Sequence, residues 1–218
     1  MRKKGDKGKI RDGWGTSHGS SYVPWITVRE FSSAGRVHRV LNWKNGRVCQ
    51  LFSDLEYYYW LLLMWEDEII DVREQYPLLP LEQTQIIADK LGKIHPPLNC
   101  KDKTIMTTDF LITKMDNMGR YYDIARAVKT TGDLNDSRVQ DKLLIEKEFW
   151  NIKGIEWKIV TENSINMVKA KNIEFVMEGF YLSADYGNNI NKYKYLIANK
   201  KVLVNMDEPL NINSLDFY

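Results

Sequence analysis

Three short runs hold side chains that together can hydrolyse a phosphodiester: Ser53-Asp54-Leu55-Glu56, Thr107-Thr108-Asp109-Phe110 and Ala127-Val128-Lys129. That reaction needs a divalent cation to neutralise developing charge and to generate hydroxide near neutral pH. Hard oxygen ligands suit Mg2+, which takes one or two carboxylates and fills its shell with water and substrate phosphate. Glu56 and Asp109 are the candidate carboxylates. Lys129 is the candidate amine, able to orient the attacking water or offset charge on the phosphate. Glu…Asp…x-x-Lys is the order in which metal-dependent nucleases supply these groups. The match has one gap: Ala127 stands two before the lysine, where such sites usually carry an acid or an amide. Its methyl cannot bind metal, but the backbone carbonyl of Val128 needs no particular side chain and is a candidate ligand. A bare D…x-x-K pair is frequent by chance, so ordinary strand residues are the competing reading.

These residues need elements to bring them together. Thr104–Thr113 and Tyr121–Thr130 have strand composition, and Met115-Asp116-Asn117-Met118-Gly119 between them is turn-like, which predicts a hairpin. With the turn centred on Asn117, Asp109 lies opposite Ala125. Lys129 is then an even number of residues along the partner strand and faces the same side of the sheet. A register slip of one residue would undo this. Ser53 and Glu56 form an S-x-x-E capping box that starts a helix apolar on nearly every face, through Tyr57, Trp60, Leu63 and Trp65. Glu56 is thereby aimed at the sheet; capping alone would also account for it. The Tyr57–Trp60 aromatic run reads as core rather than as a base-stacking surface. A second helix is expected from about Asp136 to Lys153, with Val139, Leu143 and Trp150 on one stripe. Glu146 falls in the middle of that stripe, where a carboxylate needs a metal, a lysine or an ordinary buried ion pair.

Shorter elements complete the pattern. Strands are expected at Ile26–Val28, Val37–Leu41, Ile69–Tyr76 and Ile155–Val160, and a short helix at Leu81–Leu91. Asn45-Gly46 supplies a tight turn. This order predicts a mixed sheet flanked by helices. After Glu162 a helix from Asn163 to Gly179 and a strand Lys201–Asn205 suggest a small helical or winged-helix-like module. The expected divisions are a flexible basic arm at 1–21, a catalytic domain at 22–162 and a short partner-binding module at 163–218.

Composition narrows the setting. The 218 residues are 44% hydrophobic and 28% charged, which predicts a packed core rather than disorder. The longest apolar run, Tyr57–Trp65, falls far short of the about 20 residues that span a bilayer, so no membrane segment is expected. The charged start lacks the apolar stretch of a signal peptide. Cys49 and Cys100 match no metal spacing, and reduced thiols in a cytoplasmic protein are expected. His18, His38 and His95 are too scattered for a His-based metal site. No phosphate loop or serine elbow is present, which leaves NTP hydrolysis and serine chemistry without support. A net charge of +2 says little, but Arg2, Lys3, Lys4, Lys7, Lys9 and Arg11 crowd the first thirteen residues against Asp6 and Asp12. Such an arm can lie along DNA phosphates without reading sequence, or can be a solvated terminus.

Longer runs around these residues carry a resemblance. Tyr22-Val23-Pro24-Trp25-Ile26-Thr27-Val28, Gly46-Arg47-Val48, the LFSDLE run ending at Glu56, Asp71-Val72-Arg73-Glu74-Gln75-Tyr76-Pro77-Leu78-Leu79, His95-Pro96, Met106–Leu111, Val128-Lys129 and Glu146–Trp150 occur in order. In this text the chain resembles the TnsA family, the endonuclease subunit of heteromeric cut-and-paste transposases, over about residues 22–161. The resemblance implies a restriction-endonuclease-like fold and hydrolytic nicking at the 5′ ends of a transposon in the bacterial cytoplasm. It also implies two Mg2+ ions, transposon-end DNA, an RNase H-type transposase that cuts and joins the 3′ ends, and an AAA+ ATPase regulator. Carried over by residue, it makes Glu56, Asp109 and Lys129 the catalytic set, with Glu146 an addition and Ala127 in place of the family's glutamine. Two alternatives stand beside it: an autonomous restriction or repair nuclease of the same fold, and a non-catalytic docking subunit of a transposase complex.

Overall fold

The computed structural model describes residues 5–30, 35–97, 104–182 and 188–211. Helix α1 is Asp6–Arg11, followed by a hairpin of β1 (His38–Leu41) and β2 (Val48–Leu51), then α2 (Asp54–Trp65), β3 (Ile69–Pro77) and α3 (Leu81–Lys90). Strands β4 (Thr107–Met115) and β5 (Tyr121–Val128), helix α4 (Ser137–Ile152) and β6 (Glu156–Val160) follow, and α5 (Met167–Val176) and α6 (Asn189–Ala198) close the chain. Strands β3-β4-β5-β6 form one mixed sheet, antiparallel up to β5 and parallel between β5 and β6. The parallel pair requires a crossover, and α4 is that crossover. The mixed sheet flanked by helices agrees with the restriction-endonuclease-like expectation.

Alternation along the strands divides the core into two layers. On one side Val72, Phe110, Ile112 and Ile124 pack beneath α2 with Trp60, Leu61 and Met64. On the other, Leu111 and Ala125 pack against Ile87 and Ala88 of α3 and Ile145, Phe149 and Trp150 of α4. The aromatic run is core: Trp60 is fully buried, and Tyr57 stacks on His38 with centroids 4.3 Å apart. The Cys49 thiol is buried and free, whereas Cys100 lies outside the described residues. Among the described residues no helix is long and apolar enough to cross a membrane.

Several expectations change. Ile26–Val28 is not a strand, because side chains take its backbone donors: Val28 N–H donates to Gln50 Oε1 and Thr27 N–H to Glu30 Oε2. The Lys201–Asn205 strand is also absent, and the described residues after 162 are helical without a wing. Lys200, at φ 54°, instead turns the chain back so that the N–H of Lys201 caps Leu196 O of α6 at 2.8 Å. Nor do these residues build a core of their own, since Ile173, Val176 and Ile197 join the cluster that holds Trp60.

Residues 5–21 differ from the expected solvated arm. Lys9 is buried, donates to Trp25 O at 2.7 Å and Glu30 Oε2 at 3.0 Å, and lies over the Trp14 and Trp25 rings. Cation–π and ion-pair contacts fold the segment down. Gly15 then sits so close to Pro77 that an added Cβ would lie 2.2 Å from its ring. The outer edge of β3 is sealed by residues that follow this segment. Carbonyls of Ile69, Val72, Glu74 and Gln75 accept from Lys44 Nζ, Arg47 Nη2, the Tyr22 hydroxyl and the Trp25 N–H respectively.

Candidate active site

Asp109 lies where two strands part. The β4–β5 ladder runs from Met115↔Tyr121 to Phe110↔Arg126 and stops one residue short of it. On β5 the N–H of Lys129 goes to Val160 O of β6 at 3.0 Å, which turns the N–H of Val128 toward β4. A carboxylate, not a backbone carbonyl, receives it: Val128 N–H donates to Asp109 Oδ2 at 2.7 Å. Lys129 Nζ donates to the same Oδ2 at 2.7 Å and to Val128 O at 2.8 Å. The register pairs Leu111, not Asp109, with Ala125, so the hairpin is shifted two residues from the expected one. An even shift keeps every side chain on its face, which is why the alternation argument survives it.

Glu56 enters from the first turn of α2. Ser53 Oγ accepts the Glu56 N–H at 3.1 Å, as in a capping box. The carboxylate departs from that motif, because Glu56 Oε2 accepts from the N–H of Phe52, one residue before the cap. Burial pushes the Glu56 carboxyl up to about 8, and the Asp109 carboxylate adds to the shift. Glu146, buried on α4, is also raised, to about 7, by burial first and Asp109 second. Its Oε1 accepts from the Thr108 hydroxyl and from Trp157 Nε1, rather than from the lysine or arginine of an ordinary ion pair. Burial works against the Lys129 ammonium, but Asp109 in contact and Glu146 and Glu56 farther off hold its pKa above the usual lysine value. Three carboxyls thus lie near one ammonium, and burial favours the protonated form of two of them.

Such a donor set fits a hard divalent cation. Asp109 Oδ2 and Val128 O already converge on one cationic atom, Lys129 Nζ, and two further carboxyls are destabilised as anions beside it. Among the described residues no three His, Cys, Asp or Glu side chains are close enough to hold a metal alone. A shell completed by a backbone carbonyl, water and phosphate is in keeping with Mg2+ coordination.

One neighbour was invisible to spacing. Gln75, on β3, reaches Asp109 Oδ1 with Nε2 at 3.5 Å, and its backbone adopts φ 48°. That conformation costs a non-glycine residue about 1–2 kcal/mol. Nothing in the run REQYPLL announces it, since a left-handed residue within a strand leaves no compositional mark. The six basic residues of the N-terminal arm are only partly described. Arg2, Lys3 and Lys4 lie outside the described residues, Lys9 is buried in the fold, and only Lys7 and Arg11 of the six are described as exposed.

Residues 66–162 match the family model described as TnsA-like endonuclease N terminal. This span holds Asp109, Val128, Lys129 and Glu146, and begins just after the helix that carries Glu56. The chain is also 43% identical over 168 residues to the transposon Tn7 transposition protein TnsA of Escherichia coli. The alignment covers 77% of this chain and 60% of that relative's length.

Proposed function

We propose that this chain is a TnsA-like, Mg2+-dependent endonuclease that nicks DNA at the 5′ ends of a transposon, a reading supported by the family-model match and the Tn7 relative. The observation that carries the reading is the contact of Asp109 Oδ2 and Val128 O with the Lys129 ammonium in the fork between β4 and β5. Asp109, Glu56 and the Val128 carbonyl would hold the cation, with Glu146 behind them. When bound, Mg2+ supplies neutralising charge at the phosphate and acidifies water. Lys129 keeps its proton, held by Asp109, and offers positive charge to the scissile phosphate and orientation to the attacking water. Glu146, tied to Thr108 and Trp157, sets the field around Asp109 without touching Lys129.

We further propose that it works in one complex with an RNase H-type transposase, which cuts and joins the 3′ ends, and an AAA+ ATPase. The Tn7 relative is named a transposition protein, which supports a role in transposition. Reconstituted transposition on a plasmid with cognate ends tests both. Asp109→Ala is expected to abolish 5′-strand cuts while 3′ joining persists, giving branched or cointegrate products instead of clean excision. Undiminished 5′ cutting in that variant would sink the assignment and favour a docking subunit.

A further inference from the structure

We infer that Gln75 is a positioning residue, whose carboxamide sets the orientation of the Asp109 carboxylate so that Oδ1 is the oxygen presented to the cation. The inference rests on the nuclease reading above. Asp109 has a strand on either side. On the β5 side the fork offers the methyl of Ala127. On the β3 side Gln75 falls opposite Asp109, between the pairs Glu74↔Phe110 and Tyr76↔Thr108. The carboxamide missing from one neighbour is therefore present on the other.

The two oxygens of Asp109 are not equivalent. Oδ2 takes two short bonds, from Val128 N–H and Lys129 Nζ, each 2.7 Å. Oδ1 takes the long 3.5 Å approach of Gln75 Nε2 and so keeps lone-pair capacity for a cation. Which end of the amide faces Asp109 is fixed by a neighbour: the Thr107 hydroxyl donates to Gln75 Oε1 at 3.1 Å, so Nε2 is the end left for the carboxylate. The backbone conformation points the same way. Gln75 holds φ 48°, where glycine is at ease and glutamine is strained, yet it is a buried side chain with an amide that occupies the position. The surrounding structure enforces the kink through the Trp25 N–H on Gln75 O at 3.1 Å and the Tyr22 hydroxyl on Glu74 O at 3.0 Å. Tyr22 and Trp25, just after the folded N-terminal segment, are thus part of what holds the amide in place.

Mn2+ binding by calorimetry, thermal unfolding, and 5′ nicking in the reconstituted system, each on the full chain, test the inference. Gln75→Met keeps length and volume and removes the hydrogen bonds. It is expected to weaken Mn2+ binding and slow nicking by roughly 10- to 100-fold, the usual effect of losing a partner that orients a metal ligand. Its unfolding temperature should stay near the parent's. If methionine at this φ prevents folding, Gln75→Gly accepts the backbone without strain and is expected to show the same losses. Parent-like Mn2+ affinity and nicking in a folded Gln75 variant, beside an Asp109→Ala variant that has neither, would overturn the positioning role and leave the nuclease reading intact. Asp109→Ala that still binds Mn2+ and nicks would overturn the Asp109 site on which the nuclease reading rests.

Discussion

Glu56 and Glu146 are carboxyls that the fold keeps protonated well above the ordinary value of 4.5. Between that value and the raised ones, about 8 for Glu56 and about 7 for Glu146, the folded protein holds protons that the unfolded chain has released. Linkage then gives the sign: this contribution to stability is complete below about pH 4.5 and is lost as pH rises through 7 and 8. In EDTA the melting temperature is expected to fall from pH 5 to pH 9, and Glu56→Gln should flatten that fall. Millimolar Mg2+ should restore the parent most at the alkaline end, where both carboxyls would otherwise be unpaired anions. A flat profile in EDTA that is indifferent to Mg2+ would contradict this account of the site.

Strand β3 shows how a neighbouring element fixes the sheet. The loop before β2 sends Arg47 to Glu74 in a two-pronged bond, both contacts 2.6 Å, with the pair almost wholly buried. Removing one partner of such a pair leaves a charge without water or counter-ion, at a cost of about 3–5 kcal/mol. Arg47→Met is expected to lose that much in urea unfolding, and Arg47→Met with Glu74→Gln to recover much of it; a single variant as stable as the parent would contradict the assignment. The sequence carried GRV and REQ as text without linking Arg47 to Glu74, because a contact between elements has no period. What it did carry was periodic or local. Alternation placed Asp109 and Lys129 on one face, the S-x-x-E run started α2, and the stripe on α4 marked Glu146 as buried. Ile26–Val28 and Lys201–Asn205 failed as strands because β-propensity does not show whether a partner strand is at hand.

The two core layers, taken together, make the molecule more unified than its sequence divisions. Helix α5 packs on α2 and α6 on α5, and their Ile173, Val176 and Ile197 share one cluster with Trp60, so a chain ended at residue 162 would open that cluster to water. That truncation is expected to lose soluble, cooperatively unfolding protein, as read by soluble yield and circular dichroism; parent-like melting would show a separable module. The expected division at 163 followed a change in composition, which marks texture rather than packing. The sealed outer side of β3 has a consequence for assembly. Strand-to-strand growth into a filament requires two open edges on every subunit. Here one edge is capped by the chain's own preceding segments, and of the four strands in this sheet only β6, with Glu156 and Lys158 exposed on it, lacks an outer neighbour. Association through this sheet can pair two molecules and then has nowhere to continue.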